Sequence, residues 1–240
     1  MTTGNFHRRD LMKAGALATA GAAMLGPIAG AAQTAAASVA ASGVYSPQPM
    51  PLPFDPKTIV GLSEKLLTSH HNNNYASAVK RIGAIGAQLA ALDPATAPGF
   101  QLIGLKREEL IAMNSMVLHE HYFAQFGTPN PPGAALARAI ERDFGSEARW
   151  RAEFVGMGKA MGGGSGWVVL GWSPRDKRLF NQWAGDHTMT LAAGSPILLL
   201  DMYEHAYAMD YGAKAAAYVD AFMAAIDWRA SDRRYAGVSA

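Results

Sequence analysis

The sequence predicts an α+β fold, in which helices come first and a small antiparallel sheet with further helices follows. Three observations carry that expectation. Apolar residues recur at helical spacing from Leu62 to about Gly162. Two runs rich in aliphatic and aromatic residues then flank the turn SPRDK at residues 173–177. A last continuous run, PILLLDM at residues 196–202, has the length and apolarity of a buried strand.

Residues 1–31 carry the paired Arg8 and Arg9, a weakly apolar Ala/Gly-rich stretch, and small residues up to Ala31. That layout is a twin-arginine signal peptide, and it predicts export to the periplasm or outside a bacterial cell. Gly and Pro interrupt the stretch, and its apolar residues fall short of the ~20 that a membrane span needs, so no stable span is expected after signal removal. Residues 32–51 are rich in Ala, Ser and Pro and read as a disordered linker. Roughly 180 residues then remain, enough for one compact unit or two small layers.

Residues 61–92 read as the first long helix, with Leu62, Leu66, Leu67, His70, Val79, Ile82 and Leu89 on its apolar positions and Ser63 at its start. Residues 106–127 read as a second helix, stopped by Gly127 and Pro129. The stretch from Pro131 to Gly163 gives two more, broken at Gly145. SGWVVLGWSPRDKRLFNQWAGD is a β-hairpin, PILLLDM is a third strand, and AKAAAYVDAFMAAIDW closes the chain as a helix.

Composition limits the chemistry. Removing residues 1–31 takes away Arg8, Arg9, Lys13 and Asp10, and the net charge falls from +2 to zero. No basic surplus is left for a nucleic-acid partner. Cysteine is absent, so there are neither disulfides nor thiolate ligands, and any metal must be held by His, Asp or Glu. Asp201 poses the sharpest question, because it follows Leu198, Leu199 and Leu200 directly. A carboxylate buried there needs a partner base, a salt bridge or a metal ion. Six histidines outside the signal stretch, His70, His71, His119, His121, His187 and His205, lie at or near apolar faces. Singly, each is a hydrogen-bonded core residue more often than a ligand. Three imidazoles and one carboxylate together make a set suited to Fe, Mn or Zn.

DMYEHAY at residues 201–207, GGGSGWVVL at 162–170, DFGSEARWRAEF at 143–154 and YVDAFMAAIDW at 218–228 carry a resemblance. From about Leu52 to Trp228 the sequence resembles the iron/manganese superoxide dismutases. The resemblance implies a helical hairpin domain, placed at residues 52–130, then an α/β domain with a three-stranded antiparallel sheet at 131–230, and leaves 231–240 as a flexible tail. It implies superoxide as substrate, one Fe or Mn ion per subunit, and a homodimer through Glu204 and His205. Asp201 and His205 match the signature ligands. HEHYF matches the ligand segment of the second helix with His119 as ligand; His121, two positions on and roughly 200° around the helix, cannot share that face. In the first helix the register puts the ligand at His70, with His71 as the alternative.

That register also puts Asn74 where the family has a second histidine and Ala78 where it has a tyrosine. Ala208 replaces the second tyrosine of the signature, and Ala215, beside Lys214, replaces an arginine near the substrate entrance. Ser115 stands at the position of the iron form's solvent-binding glutamine and is too short for that role. His187 then becomes the group that hydrogen-bonds metal-bound solvent, the alternative being a surface loop histidine. Trp167 and Tyr203 are expected to wall the site, or to be plain core aromatics; Glu204 pairs across the dimer in the family, or is an ordinary surface carboxylate. Tyr75, three positions before Ala78, is expected to lean its hydroxyl into the substrate funnel as a replacement proton gateway. Two other functions stay open: an exported metal-binding protein with weak turnover, and a zinc hydrolase built on the same His/Asp set.

Overall fold

Ser63 starts the first helix as its sequence position implied: its hydroxyl accepts the Leu66 N–H at 3.0 Å, filling one of the orphan donors of the first turn. A computed structural model describes residues 44–239, all within the unit Ala41–Ala240. The proposed signal peptide and linker residues 32–43 lie outside the described residues. Helix α1 (Glu64–Ser69) runs through a π turn, His70–Tyr75, into α2 (Ala76–Ala91), so the single helix read from sequence carries an extra residue in one turn. Helix α3 (Gly99–Phe123) packs back against α2 and completes the helical hairpin. It begins earlier than its sequence pattern indicated.

Helices α4 (Ala134–Phe144) and α5 (Glu147–Ala160) are separated at Gly145, whose φ of 82° lies in the left-handed region that favours glycine. Strands β1 (Trp167–Ser173), β2 (Arg178–Ala184) and β3 (Ser195–Asp201) form one antiparallel sheet in the order β2-β1-β3. Ile197 to Leu200 are fully buried, which explains why β3 has no alternation of apolar and polar residues. Its free edge is covered by side chains. Gln125 accepts the Leu199 N–H at 3.1 Å and donates to the Leu199 carbonyl, while Arg234 donates to the Ile197 carbonyl at 2.9 Å. A short turn (Glu204–Ala206) and helices α6 (Ala208–Tyr211) and α7 (Ala215–Ala224) follow.

Two sequence expectations change. Residues 231–239 of the tail expected at 231–240 belong instead to helix α8 (Arg229–Ser239), and residue 240 lies outside the described residues. Asp227 accepts the Arg229 N–H at 3.0 Å at its start, Arg234 reaches the Ile197 and His121 carbonyls, and Tyr235 packs edge-on to Trp172. Small and charged residues make up most of this helix and leave it few large apolar positions, so two long side chains anchor it instead. The described end of the expected linker, residues 44–50, runs along α2 rather than free of it. A Cβ on Gly83 would come within 3.1 Å of the Ser46 hydroxyl, and one on Gly86 within 3.2 Å of the Tyr45 carbonyl.

Candidate metal centre

Two helices and the end of the sheet deliver the site. His70 opens the π turn, and His119 lies near the end of α3. Asp201 ends β3 opposite Trp167, the first residue of β1. His205 follows four residues later in the short turn. His70 and His119 are each 1% exposed and Asp201 is 0% exposed. One potential donor atom from each of the four lies within 4.8 Å of the others.

All three imidazoles turn Nε2 toward one carboxylate oxygen. Asp201 Oδ2 is 3.2 Å from His70, 3.3 Å from His205 and 3.6 Å from His119. The other oxygen, Oδ1, accepts the Tyr203 N–H at 2.8 Å. His119 Nδ1–H donates to the Ser115 carbonyl at 2.6 Å, which leaves a lone pair on Nε2. Burial takes the His119 pKa down to about 3, helped by the neighbouring His70, and burial also lowers His70. Burial alone would raise the Asp201 carboxyl, but His205 and His70 outweigh it and hold it below the ordinary carboxylate range.

The result is a conflict that protein atoms alone do not relieve. Among the described residues neither His70 Nε2 nor His119 Nε2 has a hydrogen-bond partner, although both are buried. A neutral His119 presents a lone pair to a carboxylate oxygen, acceptor against acceptor. A cation among the four atoms removes the repulsion and uses every lone pair, so the residues fit a metal ion. The N₃O set, without thiolate, suits Fe, Mn or Zn.

The remaining candidates fall around this cluster. His71 lies outside it: its Nε2–H donates to the Met50 carbonyl at 2.8 Å. His121 also lies outside, on the far side of α3, lowered to about 4 by burial and then by Arg234. His187 is beside the cluster, its ring 6.0 Å from that of His119 and stacked on Tyr203 at 4.9 Å. Trp167 donates its indole N–H to His187 Nδ1 at 3.0 Å, so a neutral His187 carries its proton on Nε2. Burial lowers the His187 pKa and favours that neutral form. Tyr203 in turn stacks on His205 at 5.3 Å. Glu204 is exposed. Ala78 and Ala215 are buried, Ala208 and Lys214 are exposed, and Asn74 is half-buried.

Tyr75 is 1% exposed, and its hydroxyl is committed to partners other than the ligands. It accepts the Met50 N–H at 2.8 Å and donates to Glu120 at 2.9 Å. Phe123 packs against His70 at 5.0 Å and against Tyr75 at 6.3 Å. Burial, with Glu120 adding to it, pushes the phenol up to about 12. Tyr75 is the last residue of the π turn, which carries one residue more than a regular helical turn. Sequence reading also missed the Ser115 carbonyl as the partner of His119 and the Trp167–His187 bond. The first is a local i−4 contact that the histidine's position permits; the second depends on tertiary packing that no local pattern shows.

Comparison with known proteins agrees with this geometry. Residues 132–234 match the family profile described as iron/manganese superoxide dismutases, C-terminal domain. The chain is 64% identical over 186 residues to "Superoxide dismutase [Fe]" of Cupriavidus metallidurans, covering 78% of this chain and 94% of that protein. It is 34% identical over 181 residues to "Superoxide dismutase [Mn] 2" of Halobacterium salinarum, covering 74% and 88%. It is 31% identical over 198 residues to "Superoxide dismutase [Fe]" of Methanothermobacter thermautotrophicus, covering 80% and 94%. With three buried imidazoles converging on one carboxylate, and with relatives that span nearly their whole length, the chain belongs to the iron/manganese superoxide dismutase family.

Proposed function

We propose that the protein converts superoxide to O₂ and hydrogen peroxide, with one Fe or Mn ion per subunit on His70, His119, Asp201 and His205. The observation that carries this reading is the convergence of three imidazole Nε2 atoms on Asp201 Oδ2 in a buried site. The bound ion supplies one-electron chemistry, by which one superoxide is oxidised to O₂ and a second, with two protons, is reduced to H₂O₂. The chain's residues supply the rest. His119 is oriented by the Ser115 carbonyl, and Asp201 is oriented by the Tyr203 N–H. His187, with its proton on Nε2, acts as a hydrogen-bond donor to solvent at the ligands and governs how readily that solvent takes a proton. Its backbone is tied to α3, since Asn114 donates to its carbonyl at 2.5 Å. Trp167, Tyr203 and Phe123 wall the ligands and limit water.

We read the protein as a homodimer joined through Glu204 and His205. Glu204 is exposed, and the His205 side chain beside it is 27% exposed, which leaves both within reach of a second copy. We also read residues 1–31 as a twin-arginine signal and the protein as periplasmic or secreted, on the Arg8–Arg9 pair and the Ala/Gly-rich stretch after it. Elemental analysis combined with a superoxide-scavenging assay tests the activity. Stoichiometric iron or manganese with catalytic scavenging is the expected result. Stoichiometric zinc, or bound iron or manganese without turnover, would overturn it.

A further inference from the structure

His70 differs from His119 in one respect. A metal-binding histidine normally donates its second ring N–H to a fixed partner, which sets the ring's direction. His119 has the Ser115 carbonyl for this, but His70 Nδ1 is buried with no hydrogen-bond partner among the described residues. Packing and the backbone therefore set the aim of His70. That backbone is the start of the π turn His70–Tyr75, closed by the Ala76 N–H bonding to the His71 carbonyl. Its sequence, HHNNNY, is poor in helix formers, so intrinsic propensity does little to hold the turn.

Met50 holds it from outside. The Met50 carbonyl accepts His71 Nε2–H at 2.8 Å, and the Met50 N–H donates to the Tyr75 hydroxyl at 2.8 Å. One residue of the N-terminal segment thus fastens both the second and the last residue of the turn. Tyr75 passes the connection on, donating to Glu120 at 2.9 Å, and Glu120 is the neighbour of His119 on α3. The segment itself is seated on α2, where Gly83 and Gly86, three residues apart and on one face, leave room for Ser46 and Tyr45.

We propose that residues 44–50 are a positioning strap for the metal centre, acting through Met50, His71, Tyr75 and Glu120 to fix the π turn that aims His70 and to tie it to the helix that carries His119. This rests on the metal-centre reading given above. Tyr75 and Glu120 are then positioning residues whose hydroxyl and carboxylate need never touch substrate.

The test uses the full-length, metal-loaded protein. Metal release to EDTA is followed by elemental analysis, and amide hydrogen exchange is measured across residues 44–50 and 70–76. Tyr75→Phe removes the relay and is expected to release metal on the order of 10-fold faster. Glu120→Gln keeps an acceptor and should behave as wild type, which separates the relay from a general loss of stability. Gly86→Ala touches no ligand, and in an ordinary helix it is neutral or stabilising. Here the added methyl crowds the strap, so faster release and faster exchange in both segments are expected. Wild-type release rates in Tyr75→Phe or in Gly86→Ala overturn the proposal. If the wild-type protein retains neither iron nor manganese, the metal reading itself falls. The strap is then judged on exchange alone, and unchanged protection of residues 70–76 in Tyr75→Phe overturns it.

Discussion

At the residue scale, the compensation of Asp201 decides the chemistry. A buried carboxylate after three leucines is tolerated because three imidazoles converge on it, and the lone pairs they bring call for a cation. His119 and His121 separate cleanly on this basis. His119→Ala is expected to abolish retention of the metal, whereas His121→Ala, which removes a ring outside the cluster and keeps the backbone carbonyl that accepts from Arg234, should retain most of it. Elemental analysis of the two purified variants checks this, and the reverse order would contradict the geometry. These ligands were legible because metal chemistry narrows the choice to His, Asp and Glu, and helical spacing excludes His121 from the face of His119. Tyr75 was not legible in the same way. It ends a helical turn that carries one extra residue, and nothing in HHNNNY states where that residue is accommodated.

At the element scale, the fold rests on side chains that satisfy exposed backbone as much as on apolar packing. Gln125 and Arg234 cover the edge of β3, and Asp143 does the same for β2, accepting the Leu179 N–H at 2.7 Å. Burial alone would raise Asp143, but the hydrogen bonds from Arg142 and from Leu179 outweigh it and hold the carboxyl below its ordinary value of 3.8. The sign follows from that direction. Asp143 contributes stability that is fully present above the unfolded value and is lost as pH falls through the lower folded value. Asp143→Ala should therefore cost about 1.5–3 kcal/mol at neutral pH, the usual range for a hydrogen bond to a charged group, and progressively less below about pH 4. Denaturant titrations at pH 7 and pH 3 measure it, and an equal cost at both would contradict the pairing. The periodic helix α4 and the continuous apolar run of β3 were legible from sequence. Helix α8 was not, because Arg234 and Tyr235 anchor a segment whose composition is that of a solvated tail.

At the scale of the whole molecule, the helical hairpin supplies His70 and His119, while the strand end and the turn after it supply Asp201 and His205. Neither region holds a complete ligand set, so metal binding and the packing of hairpin against sheet stabilise one another. Export precedes function in the proposed reading, and twin-arginine export carries proteins that are already folded. Replacing Arg8 and Arg9 with Lys should leave folded, metal-bearing protein in the cytoplasm; cell fractionation that finds normal export would remove that reading. The most direct test of the proposed activity is the superoxide decay rate measured against metal occupancy per chain. Wild-type samples carrying from none to one iron or manganese per chain are compared at equal protein concentration. The rate should rise in proportion to occupancy, and Asp201→Ala should retain neither metal nor activity. A fully loaded protein that clears superoxide no faster than its metal-free form would contradict it.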